Sequence, residues 1–214
     1  TSVDAFRGPG LQRGLQLLHQ IKDRYSLPLV TDIHEPEQAR PVAEVVDLLQ
    51  IPAFLCRQTD LLLAAGHTGK IVTVKKAQFL SGKDMRYVAQ KVASTGNEQL
   101  LLTERGTAFG YNNLVVDYTG VLDMMQLGYP VVMDATHSVQ KPGGAQGKSG
   151  GNSAYAPFLA KAAAAIGVRG FFIETHPNPK QALSDGPNML TLDALEQLVH
   201  ELDALLSLQI LQPH

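Results

Sequence analysis

A single cysteine, Cys56, stands in the whole chain, so an internal disulfide is excluded and the composition suits a reducing compartment. Excess charge is missing too: 18 Lys and Arg face 20 Asp and Glu, a formal net charge of −2. That leaves no electrostatic footprint for nucleic acid or for an anionic membrane surface. No apolar run approaches the roughly 18 residues of a spanning helix. The opening TSVDAFRGPG has neither the basic start nor the apolar core of a secretory signal. No GxGxxG follows the first strand-like run, which weakens a dinucleotide-binding reading. Repeats, linkers and low-complexity segments are absent as well. What remains is the expectation of a cytoplasmic, globular, 214-residue chain, 44% hydrophobic, forming one domain over 1–214. A chain of that size buries about 70% of its unfolded surface.

What is present alternates. Apolar runs begin near Leu27, Val46, Ile71, Leu100, Val131 and Gly170. Helical spacing marks 11–25, 37–44, 59–65, 84–93, 115–127, 154–166 and 192–205. Strands alternating with helices predict a parallel sheet covered by helices. Polar residues close almost every run: Asp32 and His34, Gln50 with Arg57 beyond it, Lys75 and Lys76, Glu104 and Arg105, Asp134 and His137, Glu174 and His176. A barrel gathers strand ends at one mouth, whereas an open sheet spreads them along an edge. The expected fold is therefore an α/β (β/α)8 TIM barrel. Six units do not close the common barrel, so the first two βα units are expected to be missing from this chain.

The stretch Val131–Gly151 carries most of the chemistry. A short buried strand delivers His137 into a glycine-rich loop holding Lys141, Lys148 and Ser149, a common way to build a site for a phosphorylated substrate. Lys75, Lys76, Arg57 and Arg105 are cations at strand ends, and buried cations need anionic partners. Cations from three strand ends at one mouth exceed what Glu104 alone answers, which favours a phosphate or carboxylate ligand. A Schiff base on Lys75 or Lys76 stays open. His137, Glu174 and Asp185 could hold a divalent metal, move protons or form a salt-bridge network, and their spacing matches no local metal motif. Cys56 in its apolar run reads as packing, and His19, His67, His200 and His214 read as solvated.

FRGPGL, TDIHEP, PAFLCRQTDLL, VKKAQF, ERGTAFGYNNLVVD, DATHSVQKPGG, KSGG, FIETHPNP and SDGP follow one another along nearly the whole chain. In order and spacing they resemble the 3-deoxy-D-manno-octulosonate 8-phosphate synthases. The resemblance implies a barrel, usually a homotetramer. It also implies condensation of phosphoenolpyruvate with D-arabinose 5-phosphate on the route to Kdo of lipopolysaccharide. Ala53, Arg57, Lys75 and Arg105 resemble the phosphoenolpyruvate group, and Asp32 and Gln58 match further site positions. Thr1, Ser2, Arg7 and the loop 146–149, with Lys148 and Ser149, resemble the arabinose 5-phosphate end. In the family Thr1 and Ser2 act across a subunit interface. His137, Glu174 and Asp185 match the metal ligands of metal-dependent members. The fourth ligand, cysteine or asparagine by branch, falls in a segment that the family carries ahead of Thr1. Ser184 before Asp185 and the KPGG…KSGG loop resemble the metal-dependent branch. Catalytic roles thus fall to His137, Lys75, Arg105 and Asp185. Two other chemistries remain as alternatives: the heptulosonate synthase reaction with erythrose 4-phosphate, and a lysine Schiff-base aldolase. A non-catalytic sugar-phosphate-binding fragment is a third.

Overall fold

The computed structural model describes residues 8–145 and 148–208. Its centre is a six-stranded, all-parallel, curled sheet formed by β1 (Val30–Asp32), β2 (Leu48–Ile51), β3 (Ile71–Lys75), β4 (Leu100–Glu104), β7 (Val131–Asp134) and β10 (Gly170–Phe172). The spatial order β1-β2-β3-β4-β7-β10 is the order along the chain. A doubly wound sheet reverses its strand order at a switch point, and this one never does. Single winding with curl is the arrangement of a TIM-barrel-like fold. α1 (Leu11–Tyr25) precedes the sheet, α2 (Pro36–Ala43), α3 (Thr59–Gly66), α4 (Met85–Ala93), α5 (Tyr118–Met125) and α6 (Ala156–Ala165) run between its strands, and α7 (Leu192–Ser207) follows the last.

Local chemistry fixes the helix starts. Glu35 and Gln38 form a capping box around Pro36 at the head of α2. Asp117 accepts from the Thr119 amide, and Thr191 from the Ala194 amide, at the heads of α5 and α7. Two short antiparallel pairs interrupt the βα rhythm: β5 (Thr107–Ala108) with β6 (Leu114–Val115), and β8 (Gln140–Ala145) with β9 (Lys148–Gly151). The second replaces the irregular glycine loop expected after His137. Its base pairs are Gln140 with Gly151 and Lys141 with Gly150.

Strand alternation sorts the side chains into two environments. The register places Thr73 and Lys75 on the same face as Thr103, Asp134 and Phe172. The opposite face carries Leu49, Ile51, Val72, Val74, Leu102 and Met133, all buried beneath the helices in one core with Val42, Leu62, Met85, Val92 and Met124. Each such side chain contributes roughly 1.5–3 kcal/mol on leaving water. A smaller core of Ala135, Ala156, Ala160, Leu198 and Leu202 seats α6 and α7. The sheet's outer face is thus rigidly backed, and its inner face is free to carry polar side chains.

Candidate active site

Asp134 ends β7 on the inner face and is fully buried. Its Oδ2 accepts from the Lys75 ammonium at 2.8 Å and from His137 Nδ1 at 2.7 Å. Its Oδ1 accepts from the His137 amide at 2.9 Å. A single turn of 3₁₀ helix, His137–Val139, brings the ring back over the strand end, and the Ser138 hydroxyl donates to the Asp134 carbonyl. Burial alone would raise the Asp134 carboxyl, but the His137 hydrogen bond and the neighbouring Lys75 ammonium hold it down at about 2. It therefore stays ionised and anchors both partners. Lys75 also lies 3.7 Å over the Phe172 ring, a cation–π contact that fixes its head group.

With Nδ1 given to Asp134, the hydrogen-bond pattern assigns the lone pair of His137 to Nε2. Nε2 faces Glu174 Oε1 at 3.4 Å. His137, Glu174 and Asp185 each present a ligand atom, all within 4.8 Å of one another. Glu174 Oε2 is buried without a partner among the described residues. Burial pushes the Glu174 carboxyl up, and Asp185 and Asp134 add to this while His137 and Lys75 oppose it. A divalent cation would relieve that repulsion, and one imidazole with two carboxylates is a fitting donor set. The buried carboxylate behind the imidazole is the outer partner that metal-binding histidines ordinarily have.

Asp185 has φ 53, a left-handed conformation that aspartate tolerates better than most residues. Gly186 follows it because a Cβ there would overlap the Pro179 carbonyl. HPNP and SDGP are therefore two halves of one tight support.

Arg105 follows β4 on the inner face and is 5% exposed. Its Nη2 donates to Gln140 Oε1 at 2.6 Å, while Nη1 is buried and without a partner among the described residues. Burial pulls the guanidinium below its ordinary value, and Asp134, Glu104, Asp185 and Glu174 hold it up. An unanswered guanidinium edge in a buried setting selects for carboxylate or phosphate.

Not every expected residue joins this cluster. Lys76 points to the opposite face, where Glu104 at 3.6 Å and the carbonyls of Ala77 and Leu80 enclose it. Successive residues of a strand face opposite ways, so only Lys75 of the pair reaches the site, and Glu104 lies beside Lys76. Arg57 is exposed, and its carbonyl receives Lys91. It follows β2 by way of the 3₁₀ turn Ala53–Leu55. Ala53 is buried in that turn and Gln58 stands exposed ahead of α3. Asp32 is exposed at the end of β1 and accepts from the Gln50 amide. Cys56 is buried in the core, and burial raises its thiol. Thr1, Ser2 and Arg7 lie outside the described residues, as do the side chains of Lys148 and Ser149.

Two residues of the cluster were given no role by the sequence. Asp134 stood only among the polar residues that close the apolar runs, a signal that could have been weighed more heavily. Gln140 gave no signal. A recess of about 360 Å³ lined by Gly66, His67, Thr95 and Asn97 sits by the starts of β3 and β4. It lies at the far end of the strands from these groups, and Asn97 there is fully engaged by backbone.

No described helix is long and apolar enough to cross a membrane. The DAHP synthetase I family model matches residues 1–208. A protein of Nitratidesulfovibrio vulgaris named 2-dehydro-3-deoxyphosphooctonate aldolase is 60% identical over 209 residues, covering 98% of this chain and 77% of the relative. Proteins of the same name from Desulfatibacillum aliphaticivorans and Granulibacter bethesdensis are 58% and 59% identical, covering 96% and 94% of this chain and 75% and 72% of their own lengths. The chain belongs to the DAHP synthetase I family and, within it, to the group of the 2-dehydro-3-deoxyphosphooctonate aldolases.

Proposed function

We propose that the chain condenses phosphoenolpyruvate with D-arabinose 5-phosphate, giving 3-deoxy-D-manno-octulosonate 8-phosphate and inorganic phosphate in Kdo and lipopolysaccharide biosynthesis. The observation that carries the reading is the buried Arg105, whose Nη1 has no partner among the described residues, on the same sheet face as Lys75. That pair suits a small donor bearing both phosphate and carboxylate. In the reaction C3 of the enol phosphate attacks the aldehyde carbon, water adds at C2, and the C2–O bond breaks to free phosphate. Lys75 and Arg105 hold the donor's anionic groups. Holding donor and acceptor face to face can supply about 7–11 kcal/mol of the barrier. Asp134 fixes the His137 ring so that the Nε2 lone pair stays turned toward Glu174 and Asp185. His137, Glu174 and Asp185 would hold a divalent cation, whose chemistry there is Lewis-acid polarisation of the aldehyde.

Ala53, Asp32, Gln58 and Arg57 complete the proposed substrate surroundings. Thr1, Ser2, Arg7, Lys148 and Ser149 are assigned to the sugar phosphate, with the β8–β9 hairpin as a lid. The wider setting is proposed as a single catalytic domain, part of a full (β/α)8 barrel, acting as a cytoplasmic homotetramer. Support for the barrel is that, among the described residues, β1 and β10 are each paired on one side only. A Schiff base is disfavoured because Lys75 is engaged by Asp134 and Phe172 as an ammonium. The test is phosphate release from phosphoenolpyruvate with each aldose phosphate in turn. Release with arabinose 5-phosphate supports the proposal; release only with erythrose 4-phosphate, or with no aldose, overturns it.

A further inference from the structure

Gln140 stands where the two halves of the site meet. It opens β8, and its carboxamide uses both ends: Oε1 accepts from Arg105 Nη2 at 2.6 Å, and Nε2 donates to Asp185 Oδ1 at 2.7 Å. A guanidinium only donates and a carboxylate only accepts, so the partners themselves fix which way the amide points. Only a group with a donor and an acceptor can bridge them. Glutamate would repel Asp185, and lysine would repel Arg105.

The base of the hairpin is set against the same turn. Gly151, opposite Gln140, has no room for a Cβ because Asn188 fills that space, and Asn188 belongs to the turn that follows Asp185. Moving the base would therefore disturb the amide and the Asp185 turn together.

We infer that Gln140 is a positioning residue that couples the anion-binding Arg105 to Asp185, so that one side chain sets the affinity of both halves. This rests on the reading of Arg105 as an anion contact and of His137, Glu174 and Asp185 as a cation site. On the anion side, Gln140 occupies one amino group of Arg105 and leaves Nη1 to face the ligand. On the cation side, it holds one oxygen of a carboxylate whose backbone sits at φ 53, a conformation that persists only when its surroundings enforce it.

The experiment measures two equilibria on the full chain: Zn²⁺ alone, by competition with a fluorescent chelator, and inorganic phosphate, by calorimetry. Gln140→Met keeps the length and volume while removing both bonds. Gln140→Leu, which carries no ligand atom, checks that the thioether does not intervene. His137→Ala is the control for the cation site. The expected result is Zn²⁺ binding weakened 10–100-fold, as for lost outer contacts of metal ligands, with phosphate binding weakened severalfold in the same variants. Wild-type affinities in the Gln140 variants, or a change in only one of the two, overturn the coupling. If those variants bind normally while His137→Ala loses Zn²⁺, the coupling alone is wrong. If the wild-type chain takes up no Zn²⁺, the cation site itself is wrong and this inference falls with it.

Discussion

Asp134 shows how much can rest on one carboxylate. It is fully buried and binds Lys75 and His137 at once. Removing one member of a buried charge pair leaves the other uncompensated, at a cost of about 3–5 kcal/mol. Asp134→Ala is expected to lower unfolding stability by that amount in a urea titration, with loss of activity besides. A tyrosine offers a separate check on burial. The Tyr118 hydroxyl donates to the Leu159 carbonyl, and burial pushes it up to about 12 from an ordinary 10. Its folded value is raised, so its contribution to stability is complete below pH 10 and is lost as pH rises through about 12. The size is roughly 2 kcal/mol once partial exposure is allowed for. Denaturation between pH 9 and 12 should show that decline in the wild type, and Tyr118→Phe should flatten it. Residue identity alone could not reveal these roles, because Lys75 and Asp134 are 59 positions apart and the strand register unites them.

At the scale of elements, the six sheet strands and seven helices were legible because short apolar runs mark strands buried on both faces and period-3.6 spacing marks the helix face that meets the core. The α1 range agrees residue for residue. The β8–β9 hairpin was not legible. Five glycines in that stretch signal a loop, and an antiparallel pair built on backbone hydrogen bonds leaves no hydrophobic alternation to read. Close approach of backbone is similarly silent until it is seen. A Cβ on Gly82 would overlap the Gly120 carbonyl at the head of α5, so the segment after β3 lies directly on that helix. Gly82→Ala is expected to cost about 1–3 kcal/mol by overpacking, read as a shift in the denaturant midpoint with an unchanged slope.

Across the whole molecule, convergence of strand ends was the sound part of the sequence argument, and counting both lysines of the Lys75–Lys76 pair was its weak part. Lys75 and Arg105 reach the inner face, but Lys76 turns outward to Glu104. Counting charges at strand ends overestimates a site, because alternate residues belong to the other face. The molecule's division into a packed outer face and a polar inner face also bears on the cation. Chelation is expected to depress turnover while leaving the main core, and hence far-UV circular dichroism, unchanged.

The central proposal is that Arg105, with a buried guanidinium edge that has no partner among the described residues, presents that edge to phosphoenolpyruvate. Its most direct test is the rate of arabinose 5-phosphate-dependent phosphate release by the wild type and by Arg105→Ala, each checked for folding by thermal melt. Loss of one such preorganised donor ordinarily costs 10²–10³ in turnover, and a decrease of at least that size in a folded variant is predicted. A folded Arg105→Ala chain that turns over at the wild-type rate would contradict the account.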